Sequence, residues 1–172
     1  MKKIFFAVAA SMSLAVMAQE TPKVLKTTFS KKALEQKVTT LEGKHTQIKD
    51  ILEKHKGKIV VLDFWASWCS DCVKAMPKAK ELVQKNPDVD FIYLSLDRNE
   101  TAWKKGIEKH HIENLYNYWF SSGWKNDFNN DIDLNWIPRY IVVNQNSGIA
   151  KYYAITPDDP SIQQTIDQLS KN

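Results

Sequence analysis

Apolar positions along this chain fall into two rhythms. Ile59-Val60-Val61-Leu62 is a short β-branched run continued by Asp63-Phe64-Trp65, and it predicts a buried strand over 59–65. After Cys72 the rhythm changes. Val73, Met76, Ala79, Leu82 and Val83 recur at helical spacing, which predicts a helix from Cys69 to Lys85 that stops before Asn86-Pro87. Pro77 inside it removes one backbone hydrogen bond and predicts a bend. Val89 to Leu96 predicts a second buried strand, parallel to the first through a right-handed crossover. Residues 97–112 then read as a helix capped near Asn99, and Tyr116 to Phe120 as an aromatic strand. The stretch after Ser121-Ser122 reads as a short helix with Trp124 and Phe128 on one face. Pro138 starts a strand over 139–143, Asn144 to Gly148 turns, and Ile149 to Ile155 pairs back antiparallel. Asp158-Asp159-Pro160-Ser161 opens a last helix with Ile162, Ile166 and Leu169 as its buried stripe.

Ahead of the first strand the pattern is less decisive. Met1-Lys2-Lys3, the apolar stretches 4–10 and 14–18, and Val16-Met17-Ala18 before the cut predict a secretory signal peptide over 1–18. That run is too short and interrupted to span a bilayer well, and no later stretch is long enough to be an integral membrane segment. Residues 19–36 read as a flexible lead-in and 37–172 as the folded domain. Two readings compete from Ser30 to Gly43. Leu34, Val38 and Leu41 have helical spacing, yet Lys37 to Leu41 also alternates and Glu42-Gly43-Lys44 makes a turn. Ile48 to Lys56 predicts a short helix ended by Gly57.

Charge and cysteine usage narrow the function. Without Lys2 and Lys3 the chain carries 22 basic and 20 acidic residues, a net +2 spread along its length. That balance does not argue for nucleic acid or an acidic membrane surface. The chain holds two cysteines, two residues apart. An exported protein with one close pair is not a disulfide-stapled scaffold, and its thiols are there for reactivity.

The position of the pair has chemical consequences. A helix N-terminus presents unpaired N–H groups and stabilises a thiolate by about 1 kcal/mol, close to one pKa unit. Cys69, at the helix start, is the candidate nucleophile, and Cys72, one turn in, the candidate resolving thiol. A structural bridge closing so short a loop would contribute little. A zinc site would need further ligands, and His45, His55, His110 and His111 are scattered, reading as solvated side chains. No metal or cofactor is expected. Asp63 lies inside an apolar strand, which is costly unless the carboxyl is neutral or hydrogen-bonded, and burial should raise its pKa.

An ordered set of residues goes beyond the cysteine spacing: Asp63, the run Trp65-Ala66-Ser67-Trp68-Cys69, Pro77, and Ile137-Pro138. Together they resemble the active-site segment of thioredoxin-like proteins, and within them the TlpA/ResA-like thiol-disulfide oxidoreductases of bacterial envelopes. With its flanking elements the resemblance covers roughly residues 40–170. It implies an α/β, thioredoxin-like fold: a central mixed sheet flanked by helices, with an N-terminal hairpin in the ambiguous region and a central α/β insertion. It implies that Asp63 shuttles a proton to or from Cys72. It also implies a cis Ile137-Pro138 bond facing the cysteines, where a substrate strand can pair, with Trp68 and Ile137 as an apolar rim. Three departures stand out: Ser70-Asp71 where typical thioredoxins have Gly-Pro, Tyr93 where a lysine often neighbours the buried acid, and Ala75 where several envelope reductases carry glutamate.

The expected function is an exported, monomeric protein-disulfide reductase of the periplasm or cell envelope, recharged by a membrane or envelope electron donor. Two other classes share features with it. A thiol peroxidase of the same fold would use a cysteine in a Pro-x-x-x-Thr-x-x-Cys context, which this chain lacks. A non-enzymatic copper chaperone would use the dithiol, but no Met or His cluster adjoins it.

Overall fold

The computed structural model describes residues 22 and 24–171, so the expected signal peptide lies outside the described residues. One sheet organises them. Its strands are β1 (Lys37–Thr39), β2 (His45–Gln47), β3 (Val60–Trp65), β4 (Asp90–Ser95), β5 (Tyr116–Trp119), β6 (Arg139–Val143) and β7 (Ile149–Ala154). They lie in the order β2-β1-β5-β4-β3-β6-β7. The helices are α1 (Lys31–Leu34), α2 (Ile48–Lys54), α3 (Ser70–Lys85), α4 (Glu100–His110), α5 (Asp127–Asp131) and α6 (Pro160–Leu169).

Strand β3 sits deep in the sheet, parallel to β4 on one side and antiparallel to β6 on the other. All six of its residues are buried, as a near-continuous apolar run requires of a strand covered on both faces. Its side chains alternate between two helical layers. Trp65 points to the layer of α3 and α4, where its ring edge meets His110 and closely approaches Gly106. A Cβ on Gly106 would come within 2.8 Å of Ser67 Cβ and 3.1 Å of Trp65, so the α4 backbone can reach the motif loop only because this residue has no side chain. Phe64 points the other way and stacks on Phe128 of α5. Asp63, two residues before Trp65, shares the α3 face.

The ambiguous N-terminal region resolves into both patterns, one after the other. α1 is a single turn capped by Ser30, and β1 and β2 form the expected hairpin, with Val38 facing Thr46. The inserted β5 lies parallel to β4, and Thr39 of β1 pairs with its Trp119.

Three expectations are corrected. The lead-in is not loose through residue 36: Phe29 and Ala33 are buried, and the Phe29 ring lies 5.2 Å from that of Phe128. Asp131 accepts from Ser30 N at 3.1 Å and pairs with Lys26 at 3.0 Å, while Ile149 N donates to Thr27 O. Isolated apolar residues among lysines carry no period, so this strap was not visible in the pattern. Trp124 is not on the helix of Phe128, because Asn126 caps α5 by accepting from Asn129 N and starts it at Asp127. Nor is His55 solvated. It is buried, with Nδ1 2.7 Å from Asp90 Oδ2 and its ring edge-on to Tyr116.

Phe128 ties the N-terminal strap, β3 and the insertion together through its contacts with Phe29, Phe64 and Phe120. Phe128→Ala is expected to cost about 3–5 kcal/mol in urea unfolding, the range for emptying a buried aromatic site.

Candidate active site

The chain leaves β3 at Trp65, turns through Ala66-Ser67-Trp68 and enters α3 at Cys69, which is the helix cap. Cys69 N donates to Ala66 O at 3.1 Å, and Cys69 Sγ accepts from Cys72 N at 3.1 Å. The first-turn amide thus points at this sulfur, which is how a helix N-terminus favours negative charge on it. Cys69 and Cys72 are joined in a disulfide with their Cα atoms 5.3 Å apart. Cys69 is 7% exposed and Cys72 2%, so the outer sulfur is the one the spacing suggested, by a narrow margin. The Ile137-Pro138 bond is cis, and Ile137 O lies 3.7 Å from Cys69 Sγ, within reach of a thiol donor in the reduced protein.

A carboxylate that sequence reasoning missed holds this turn. Asp97, just beyond β4 and 1% exposed, accepts from Ser67 N at 3.2 and 3.1 Å and from Ser67 Oγ at 2.6 Å. Ser95 Oγ donates to the same carboxylate at 2.8 Å, and Trp119 Nε1 donates to the Asp97 carbonyl at 2.8 Å. A buried carboxylate is tolerable only when so surrounded by donors. Its signal was available: Asp97 closes an apolar run, as Asp63 interrupts one.

Asp63 is 3% exposed and stands in register with Tyr93 on β4 and Tyr140 on β6, which places the three side chains in one row on the α3 face. Desolvation pushes its pKa up to about 8, against a smaller lowering by the Tyr140 hydroxyl, and Asp63 Oδ1 has no hydrogen-bond partner. Burial raises Tyr93 and Tyr140 as well, and the Asp63 charge adds to both shifts, so the tyrosines stay neutral donors.

A hollow of about 350 Å³ opens beside Cys69, lined by Trp68, Ser70, Asp71, Trp124, Asn135, Trp136 and Ile137. Trp68 is half exposed. Ile137 lines the hollow while only 5% exposed, and its neighbour Trp136 is 48% exposed. The sequence reading placed Trp124 on a helix face and gave Trp136 no role, since nothing local distinguishes either from a core aromatic. Among the described residues, no three His, Cys, Asp or Glu side chains gather closely enough to hold a metal ion.

Comparison with known proteins gives a consistent picture. Residues 57–149 match a family model described as thioredoxin-like. A thiol-disulfide oxidoreductase ResA from Bacillus cereus is 40% identical over 78 residues, covering 44% of this chain and 43% of that one. The chain therefore matches less than half the length of such relatives. A solution structure described as a thiol-disulfide oxidoreductase from Bacteroides vulgatus superposes with a TM-score of 0.67 at 27% identity, covering 81% of this chain and 88% of that one. A thiol:disulfide interchange protein from a Bacteroides species gives 0.65 at 21% identity, covering 87% and 92%, and shares the fold.

Two stability measurements test the buried acids. The fold holds a proton on Asp63 that the unfolded chain, with a carboxyl near 3.8, releases. Its contribution is full below about pH 4 and is lost as pH rises through about 8. Asp63→Asn should thus match the parent near pH 4 and exceed it by about 2–5 kcal/mol at pH 9, at 1.36 kcal/mol per pKa unit. Ser67→Ala is expected to cost about 1.5–3 kcal/mol, one hydrogen bond to a charged group, and Asp97→Ala more, because it orphans Ser67 N and two hydroxyls.

Proposed function

Because this chain belongs to the thioredoxin-like family, we propose that it is an exported thiol-disulfide oxidoreductase that reduces disulfides in other proteins. The observation that carries the reading is the Cys69–Cys72 pair at the cap of α3, its outer sulfur on the wall of an apolar hollow and a buried acid on the sheet face beneath that helix layer. Export rests on the signal-like residues 1–18, with the folded domain over 37–172 and residues 24–36 strapped to it.

In the reduced protein, Cys69 as thiolate attacks one sulfur of a substrate disulfide. A mixed disulfide forms, and the first substrate thiolate leaves and takes a proton from water. Cys72 then attacks Cys69 Sγ, releasing the second substrate thiolate. Two electrons pass from the dithiol to the substrate, and the Cys69–Cys72 disulfide remains. An envelope dithiol donor must return those two electrons. The second step needs Cys72 without its proton, which ionised Asp63 takes directly or through a water. The Tyr140 hydroxyl steadies the carboxylate. Trp68, Ile137 and Pro138 form the face on which a substrate segment lies, with Ile137 O beside the attacking sulfur.

Three variants test this in insulin reduction with the full-length chain. Cys69→Ser should abolish turnover, and turnover that persists would overturn the reading. Cys72→Ser should accumulate mixed disulfides on Cys69, visible by mass spectrometry. Turnover of the parent should rise with pH through about 8 as Asp63 ionises, and Asp63→Asn should lose that limb and run at least about tenfold slower.

A further inference from the structure

The hollow beside Cys69 has walls built with unusual care. Of the large apolar side chains left exposed among the described residues, both tryptophans, Trp68 at 52% and Trp136 at 48%, stand on it. Trp124 approaches from the insertion and Trp136 from the loop before β6. Buried polar side chains bond the Trp124 backbone and the Asn135 side chain next to Trp136. Asn129, 2% exposed, donates from Nδ2 to Trp124 O at 2.9 Å, and Asn126 Nδ2 donates to Gly123 O at 3.0 Å, with Gly123 at φ +67°. On the other wall, Arg139 is fully buried, its guanidinium 4.2 Å over the Tyr153 ring. Its Nη2 donates to Asn135 Oδ1 at 3.0 Å and to Asp133 O at 3.4 Å. A buried amide that fixes the Trp124 backbone and a buried guanidinium that fixes Asn135, the residue before Trp136, order these walls before an occupant enters.

We propose that this hollow is a side-chain subsite that selects disulfides flanked by a large apolar residue, with Trp124 and Trp136 as its specificity-determining residues. The proposal rests on the disulfide-reducing reading above. A volume of about 350 Å³ is at the small end of ligand pockets, so it takes one bulky side chain and not a folded surface. Cys69 lines the hollow, so a substrate sulfur that meets Cys69 Sγ brings the neighbouring residue of its own chain to the pocket. The occupant is an extended segment with an aromatic or long branched residue beside its cysteine. Aromatic rings gain there from offset or edge contacts with the indoles.

The test uses the full reduced chain and short peptides whose single cysteine is a mixed disulfide with glutathione. One set carries tryptophan before or after the cysteine, and the other carries serine at both places. Hydroxyethyl disulfide serves as a substrate without side chains. The better tryptophan peptide should exceed the serine peptide in kcat/KM by about ten- to thirtyfold, as burial of one large apolar group allows. Trp136→Ala should bring that ratio within about twofold of unity, and Trp124→Ala should do the same. If Trp124→Ala fails to fold, Trp124→Leu and the exposed Trp136→Ala carry the test. Equal rates for the peptides, or a ratio that survives these substitutions, would overturn the subsite while hydroxyethyl disulfide is still reduced. Failure to reduce any of the three would remove the disulfide-reducing reading and the subsite with it.

Discussion

The carboxylate of Asp97 fixes where the central strand gives way to the helix of the two cysteines. The chain leaves β3 beside the buried Asp97, where the partly buried backbone amide of Ser67 needs an acceptor. Asp97 supplies it, and takes the Ser67 and Ser95 hydroxyls as well. With that turn set, Cys69 falls at the helix cap, Cys72 N reaches its sulfur, and the Ile137 carbonyl of the neighbouring loop comes to 3.7 Å. Gly106 lets α4 close over the same turn. The position of the Cys69 sulfur is therefore a consequence of satisfying buried polar groups, and only secondarily of the helix that follows.

A second buried acid has the opposite character. Asp97 is surrounded by donors, whereas Asp63 keeps one oxygen unpartnered and has only tyrosines beside it in its row. The fold accepts the cost of a carboxyl that is neutral through most of the physiological range and ionises near pH 8. The usual balance between charge and hydration is thus reversed inside one strand, in the layer that also holds the cysteine helix. The two carboxyls differ here in their partners and not in their depth, since both are almost wholly buried.

Much of the fold was legible along the chain, because continuous apolar runs and helical stripes report directly on which residues face a core. β3, α3, β4 and α6 lie within a residue or two of where periodicity puts them. The strap formed by residues 24–36 was not legible, because Phe29 and Ala33 are single apolar positions with partners, such as Phe128, far away in sequence. His55 looked solvated for a similar reason, its acceptor being Asp90 at the start of another strand. The exposure of Trp136 beside the buried Ile137 was not legible either, since which of two adjacent residues faces water depends on the backbone path and not on their hydrophobicity.

The linear order of residues by itself determined the alternation of strands and helices, the pairing of two close cysteines at a strand-to-helix junction, and an acid inside an apolar run. These are local properties, set by side-chain period, capping and the cost of burying charge. Only the tertiary structure decided that Asp97 reaches across from β4 to Ser67, that Tyr140 flanks Asp63 opposite Tyr93, and that Trp124 and Trp136 meet beside Cys69. Each of those contacts joins segments that are distant along the chain, and their meeting depends on strand register and loop path, which no single stretch of sequence contains.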